Sequence, residues 1–168
     1  LRIQSVTQDY LKFARIPQAR REPVRLNDLL TKRLAFLQPV FEAQSVAVRT
    51  RFAPTLPLIL VDEEQLWQAL LNIILNAIES MADGGTLSLT TASEGTDILL
   101  TIADTGKGMS EEQRQQIFRP FFSTKHTGTG LGLPLSKQII AENGGSIDCE
   151  SVVGKGTTFV IRFSQPAR

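Results

Sequence analysis

Four short segments of this chain carry side chains whose type and spacing point to chemistry. Asn72 and Asn76 stand four residues apart in Asn72-Ile73-Ile74-Leu75-Asn76-Ala77, so on a helix both amides leave the same face. Their neighbours are apolar, where an amide costs free energy unless it finds partners. An amide oxygen there suits Mg²⁺, a hard ion that takes few protein ligands and keeps water and phosphate oxygens. Asp104-Thr105-Gly106-Lys107-Gly108 follows an apolar strand pattern. A carboxylate at a strand end can accept a hydrogen bond from the exocyclic amine of a purine. Two glycines two apart let the backbone bend close to a flat ring.

Gly128-Thr129-Gly130-Leu131-Gly132-Leu133 leads into a helical pattern. Small residues before a helix leave free N–H groups and the positive end of the helix dipole facing an anion. The segment is not a P-loop, because no Lys-Ser/Thr follows its last glycine, and it lacks the spacing and preceding strand of a dinucleotide fingerprint. Gly154-Lys155-Gly156-Thr157 lies between the last two strand patterns. Taken singly, each segment also reads as scaffold: helix-surface asparagines, a turn, a glycine run and a hairpin.

These segments sit within a legible order of elements. Ile3, Val6, Tyr10 and Phe13 form one helical stripe over residues 1–14, too short to stand alone in water. Pro17 and Pro23 bracket a linker. Asn27 is the expected N-cap of an amphipathic helix through Leu29, Leu30, Leu34 and Leu37. Val46, Val48 and Phe52 alternate like a half-buried strand, and Leu58 to Val61 form a second. Asp62 caps a long helix to about Ala82, burying Leu66, Ala69, Leu70, Ile73, Ile74 and Ala77. Asp83-Gly84-Gly85 turns into strands near 86–92 and 98–103. A short helix from Glu111 to about Phe118, a polar stretch from Ser123 to Gly130 and a helix over about 131–143 follow. Strands near 146–152 and 157–163 close the chain. Hairpins outnumber helical crossovers, which predicts an α+β fold: a two-layer sandwich of a mixed, mostly antiparallel sheet with helices on one face.

Composition narrows the class. The 168 residues carry 18 Lys and Arg against 17 Asp and Glu, a net charge of +1, and 42% are hydrophobic. That balance gives no whole-chain case for nucleic acid or a membrane surface, and the basic cluster at Arg15, Arg20, Arg21 and Arg25 reads as a solvated linker. Cys149 is the single cysteine, which precludes an internal disulfide and fits a reducing cytosol. No apolar run reaches the roughly 18 residues of a membrane span. The start in mid-helix pattern at Leu1 suggests a piece of a longer protein, with any membrane or sensor segment upstream.

Together the four segments resemble, in order, the N, G1, G2 and G3 boxes of sensor histidine kinases, and Phe118-Arg119-Pro120-Phe121-Phe122 resembles the F box. The resemblance runs from about Leu26 to Phe163. Tyr10-Leu11-Lys12-Phe13-Ala14-Arg15 is similar to the end of the second helix of the dimerisation and phosphotransfer bundle. Phe122-Ser123-Thr124-Lys125 looks closest to the nitrogen-regulation type. The resemblance implies a partial bundle helix over 1–16, a linker over 17–25 and a catalytic ATP-binding domain with a mobile lid over 26–168.

By that pattern Asn76 holds Mg²⁺ and Asp104 reads the adenine amino group. Gly106 and Gly108 line the base, and Thr157 sits near it. Gly128, Gly130 and Gly132 let the lid close over the phosphates, with Asn72, Thr127, Thr129 and Leu131 completing the nucleotide-binding set. Many members carry a lysine and then an aromatic where this chain has Glu79 and Ser80, which shifts phosphate charge onto Lys125, with Arg119 second. Related ATPases of the gyrase and mismatch-repair class activate water with a glutamate where Asn72 stands. An amide is no general base near neutral pH, so transfer is favoured over hydrolysis. The single histidine, His126, lies in the lid rather than on a bundle helix, so the phosphoacceptor is expected before Leu1. Implied partners are ATP, the phosphoacceptor helix of the same or a second subunit, and the receiver domain of a response regulator. The implied setting is a cytoplasmic homodimer, reaching a membrane only through upstream segments. A serine kinase antagonising a sigma factor and a non-catalytic nucleotide sensor are the alternatives; the bundle-like first helix and the intact boxes count against them.

Overall fold

The computed structural model of the protein describes residues 15–123, 130 and 132–165. The expected helix over 1–14 lies outside them, as do Thr124, Lys125, His126, Thr127, Gly128, Thr129 and Leu131 of the lid.

Strand β1 (Glu22–Val24) falls inside the segment read as linker. It pairs antiparallel with β3 (Ile59–Val61), Glu22 opposite Val61 and Val24 opposite Ile59. Three residues holding a proline give no alternating pattern, so only the partner strand makes this a strand. Helix α1 (Leu26–Ala43) buries Leu26, Leu29, Leu30, Leu34 and Phe41. Its N-cap is Arg25, without a side-chain cap bond, rather than the expected Asn27. The Asn27 amide is engaged elsewhere: Nδ2 donates to the Ala53 carbonyl at 2.8 Å and Oδ1 accepts from Thr91 Oγ1 at 2.9 Å. A tertiary tie has taken the side chain that a cap would use.

Helix α2 (Glu63–Ser80) starts as the sequence implies, Asp62 accepting from the Gln65 N–H at 3.0 Å. Glu63 and Glu64 complement the helix dipole in its first turn. The i, i+3, i+4 stripe Leu66, Ala69, Leu70, Ile73, Ile74, Ala77 and Ile78 is buried. Strands β2 (Val46–Arg51), β4 (Gly85–Glu94), β5 (Asp97–Asp104), β6 (Gly145–Val152) and β7 (Gly156–Ser164) form one sheet in the order β2-β4-β5-β7-β6. β2 and β4 run parallel, and the other neighbours antiparallel. Alternate residues Leu87, Leu89, Ile98, Leu100, Ile102, Phe159, Ile161 and Phe163 are buried in the core with the apolar stripes of the helices. This is the expected α+β arrangement.

Helix α3 is only Glu111–Arg114, a single turn closed by a Ser110–Gln113 capping box, and the residues after it to Phe121 are turns. Helix α4 (Gly132–Glu142) lies against α2. Buried Ser136 donates to the carbonyl of Ala69, and Asn143 closes the far end of the pair. The Asn143 amide accepts from Asp62 N–H at 2.6 Å and donates to Gln65 Oε1 at 3.1 Å. The same end holds the chain before β1: Gln65 Nε2 donates to the Pro17 carbonyl, Arg20 N–H to Asp62 Oδ2, and the Arg21 guanidinium to the Glu142 carbonyl.

Candidate functional site

The last residue of β5 is Asp104, 8% exposed. Its Oδ1 accepts three hydrogen bonds: from Gly106 N–H at 2.8 Å, Thr157 N–H at 3.2 Å and Ser80 Oγ at 3.2 Å. Among the described residues no donor meets Oδ2, and Asp104 lines a cavity. Burial pushes the carboxyl above the ordinary carboxylate range, while the bonds from Gly106, Thr157 and Ser80 pull it back. An ionised carboxylate with one oxygen saturated and the other open is an acceptor aimed at one donor, such as an amino group on a flat ring.

Gly106 and Gly108 have different roles. Gly108 lines the cavity in a left-handed conformation (φ +66°), and a Cβ there would collide with the Val152 carbonyl. Gly106 does not line the cavity. It packs on Ser80, whose hydroxyl occupies the space a Cβ would need. Thr157, buried at the start of β7, lines the cavity and shares a hydrogen bond with Ser151 Oγ at 2.9 Å.

The other wall comes from the two helices. Asn76 lines the cavity with Ala77, Glu79 and Ser80, one α2 face turned to Asp104. Asn72, one turn earlier, is not on the cavity wall: its Nδ2 lies 3.4 Å from the Gly132 carbonyl and so braces the first residue of α4. Gly130, Gly132, Leu133 and Pro134 bring the N-terminal end of α4 to the cavity, where first-turn N–H groups lack helical partners. A Cβ on Gly132 would meet no described atom within 4 Å. Gly130 has φ +72°, and its carbonyl accepts from Phe121 N–H at 3.0 Å, joining the two stems of the lid. The expected lid contacts Lys125, Thr127, Gly128, Thr129 and Leu131 lie outside the described residues.

The cavity measures about 290 Å³ and has an apolar wall of Met109, Ile117, Phe122, Leu133 and Phe159. Phe118 meets Phe159 edge-on at 6.4 Å, and the Lys137 ammonium lies 4.9 Å from the Phe118 ring centre, which anchors the segment before the lid. A polar end with Asn76, Glu79 and the N-terminal end of α4, and an apolar slot ending on one carboxylate, suit a ligand with an anionic end and a flat base. Lys107, Phe159 and Ser80 are among the wall residues to which the sequence reading assigned no role. Lys107 is an exposed cation on the wall, between the two glycines of its own motif. Phe159 stands two residues after Thr157 and so shares its strand face. Ser80 bonds Asp104 directly. Arg119, the second phosphate candidate, is exposed and away from the wall.

Comparison with known proteins agrees with this geometry. Residues 61–167 match the model of the "Histidine kinase-, DNA gyrase B-, and HSP90-like ATPase" family. The chain is 36% identical to the sensor histidine kinase ZraS of Salmonella typhimurium over 99% of its own length and 36% of the relative's. It is 35% identical to sporulation kinase C of Bacillus subtilis over 95% of this chain and 38% of that one. It therefore spans a little over a third of the length of each of these two relatives. Among solved structures, full-length ShkA in complex with AMPPNP superposes with a TM-score of 0.84 at 29% identity, covering 99% of this chain and 37% of that one. The nucleotide-free catalytic domain of histidine kinase ThkA gives 0.77 at 26% identity, covering 86% of this chain and 95% of that one. The matched region contains α2, β5, α4 and β7, the elements that build the cavity, and the chain belongs to the family of histidine kinase-, DNA gyrase B- and HSP90-like ATPases.

Proposed function

We propose that this domain binds ATP with Mg²⁺ in the cavity between α2, α4 and the β5–β7 end of the sheet, and donates the γ-phosphoryl to a protein histidine for relay to a response-regulator aspartate. The observation that carries the reading is Asp104, with Oδ1 saturated by three protein donors and Oδ2 left for an exocyclic amine. The adenine ring lies in the apolar slot beside Gly108 and Thr157, and the phosphates point to Gly130, Gly132 and the N-terminus of α4. Lys125, Thr127, Gly128, Thr129 and Leu131 belong to the lid over them, and Asn72 supports Gly132 from behind. Lys107 adds a cation on the wall.

The hard oxygen donors Asn76 and Glu79 on the cavity wall fit a magnesium ion whose remaining ligands are phosphate and water oxygens. Asn76 would hold it, and the ion would offset phosphate charge. Transfer is favoured over hydrolysis because Asn72 stands where a water-activating carboxylate would be needed. His126, the single histidine, belongs to the lid, so the acceptor is a histidine elsewhere, on a helix presented by the same or a second subunit.

Residues 1–16 would end a bundle helix, 17–25 connect it, and 26–168 form the catalytic domain. The whole protein would be a homodimeric sensor kinase of the nitrogen-regulation type, with this domain in the cytoplasm and no role for nucleic acid. No helix among the described residues is long and apolar enough to cross a membrane. Calorimetry of Mg–ATP binding tests the site: Asp104→Asn and Asn76→Ala should each weaken affinity about tenfold or more, the scale of a hydrogen bond or metal contact to a charged group. Unchanged affinity in both variants would remove the assignment.

A further inference from the structure

We propose that Ser80 is a positioning residue that sets purine selectivity, by keeping Asp104 in its acceptor form and turned toward the cavity. The inference rests on the ATP reading above. Ser80 is the last residue of α2 and lines the cavity beside Asp104. Its Oγ lies 3.2 Å from Asp104 Oδ1 and 2.7 Å from the Ala77 carbonyl. One hydroxyl has one proton, so these two acceptors compete for it. An ionised carboxylate is the stronger acceptor, and a neutral carboxyl is not. The hydroxyl therefore turns to Oδ1 when Asp104 is charged and to Ala77 when it is not.

The other two donors to Oδ1 are the backbone N–H groups of Gly106 and Thr157, fixed by the loop and by β7. Ser80 supplies the one donor a side-chain change can remove. The contact is imposed by shape, since the loop at Gly106 has no Cβ and closes directly onto the Ser80 hydroxyl. Charged and titratable groups around Asp104 are Glu79 on α2, Lys107 on the loop and the neutral Cys149 thiol of β6. Ser80 is the neutral donor among them, and it favours the carboxylate at a site where burial opposes it.

The two forms of Asp104 recognise different bases. The carboxylate accepts from a 6-amino group and repels a 6-oxo group; the protonated acid can donate to the 6-oxo group. Losing Ser80's proton should raise the pH at which the acid form takes over, and the preference for ATP over GTP should fall with it.

The test measures Mg–ATP and Mg–GTP affinities of the full chain in a pH series that starts near the ordinary carboxylate value of 3.8 and rises to neutrality, since burial moves the Asp104 carboxyl upward. Wild type and Ser80→Thr should keep their ATP preference to lower pH. Ser80→Ala should lose about tenfold of it at the acidic end, one charged hydrogen bond being worth about that factor, with the midpoint moved upward. Ser80→Gly, tolerated at a helix end, replaces Ser80→Ala if that variant does not fold. If Ser80→Ala or Ser80→Gly overlays the wild-type profile while Asp104→Asn loses ATP, Ser80 has no such role and the ATP site stands. If Asp104→Asn binds ATP as wild type does, the ATP reading itself fails.

Discussion

The main-chain carbonyl oxygen of Asp104 fills the space that a side chain on Gly156 would need. Gly156 begins β7 with φ +115°, a conformation L-residues rarely adopt, and its neighbour Thr157 donates to the Asp104 carboxylate. This approach brings the ends of β5 and β7 together at the floor of the cavity. Gly156→Ala should therefore cost more than about 2 kcal/mol of stability, from both the collision and the backbone strain. Urea unfolding measures it, and an unchanged midpoint with an unchanged slope would mean that the strand ends part freely.

The opposite expectation holds for Gly132. No described atom lies within 4 Å of a Cβ placed there, and Gly132 is the first residue of α4, where the helix-interior preference for alanine over glycine applies only weakly. Gly132→Ala should leave the nucleotide-free melting temperature unchanged or slightly raised. Mg–ATP affinity should fall about tenfold, because the added methyl group enters the space assigned to phosphate and would displace charged hydrogen bonds. Adenosine affinity should not change. Equal weakening of ATP and adenosine would place the phosphates elsewhere.

Cys149 gives a pH dependence unrelated to nucleotide. The thiol is buried on β6, and desolvation pushes it from its ordinary 9.0 up to about 12. Above pH 9 the unfolded thiol ionises while the native one keeps its proton, so the unfolded state binds fewer protons and native stability falls as pH rises. The loss approaches about 1.4 kcal/mol per pH unit across the window from 9 to 12. Chemical denaturation at two alkaline pH values should show this extra slope in wild type and not in Cys149→Ala. Parallel slopes would contradict it.

Much of this architecture was legible because local physics decided it. The Asp62 cap and the apolar stripe of α2 fixed that helix within two residues of its end, and period-two alternation located the paired strands. Asn76, Asp104, Gly108 and Thr157 were found as motif residues and meet at one cavity. The misses arise where distant segments meet. Asn27 has the chemistry of a cap, yet Ala53 and Thr91 take its amide. β1 exists only through β3. Asn143, 2% exposed, reads as a helix-end residue, but its amide bonds Asp62 and Gln65 across the molecule. Gly106 reads as a motif glycine and Ser80 as a departure from the family pattern, but their contact arises only where the loop after β5 closes against the end of α2, which the sequence of neither segment states.

Strands β4 and β5 form one hairpin and β6 and β7 another, each built from neighbouring sequence, whereas Asp104 and Thr157 stand 53 positions apart. The base end of the cavity lies on the seam between the two hairpins. Either hairpin alone can form locally, at low loop-closure cost, but neither holds a complete pocket. Nucleotide should therefore bind only chains in which the seam has closed, and added ATP should slow global unfolding while leaving the fraying of the outer strands untouched.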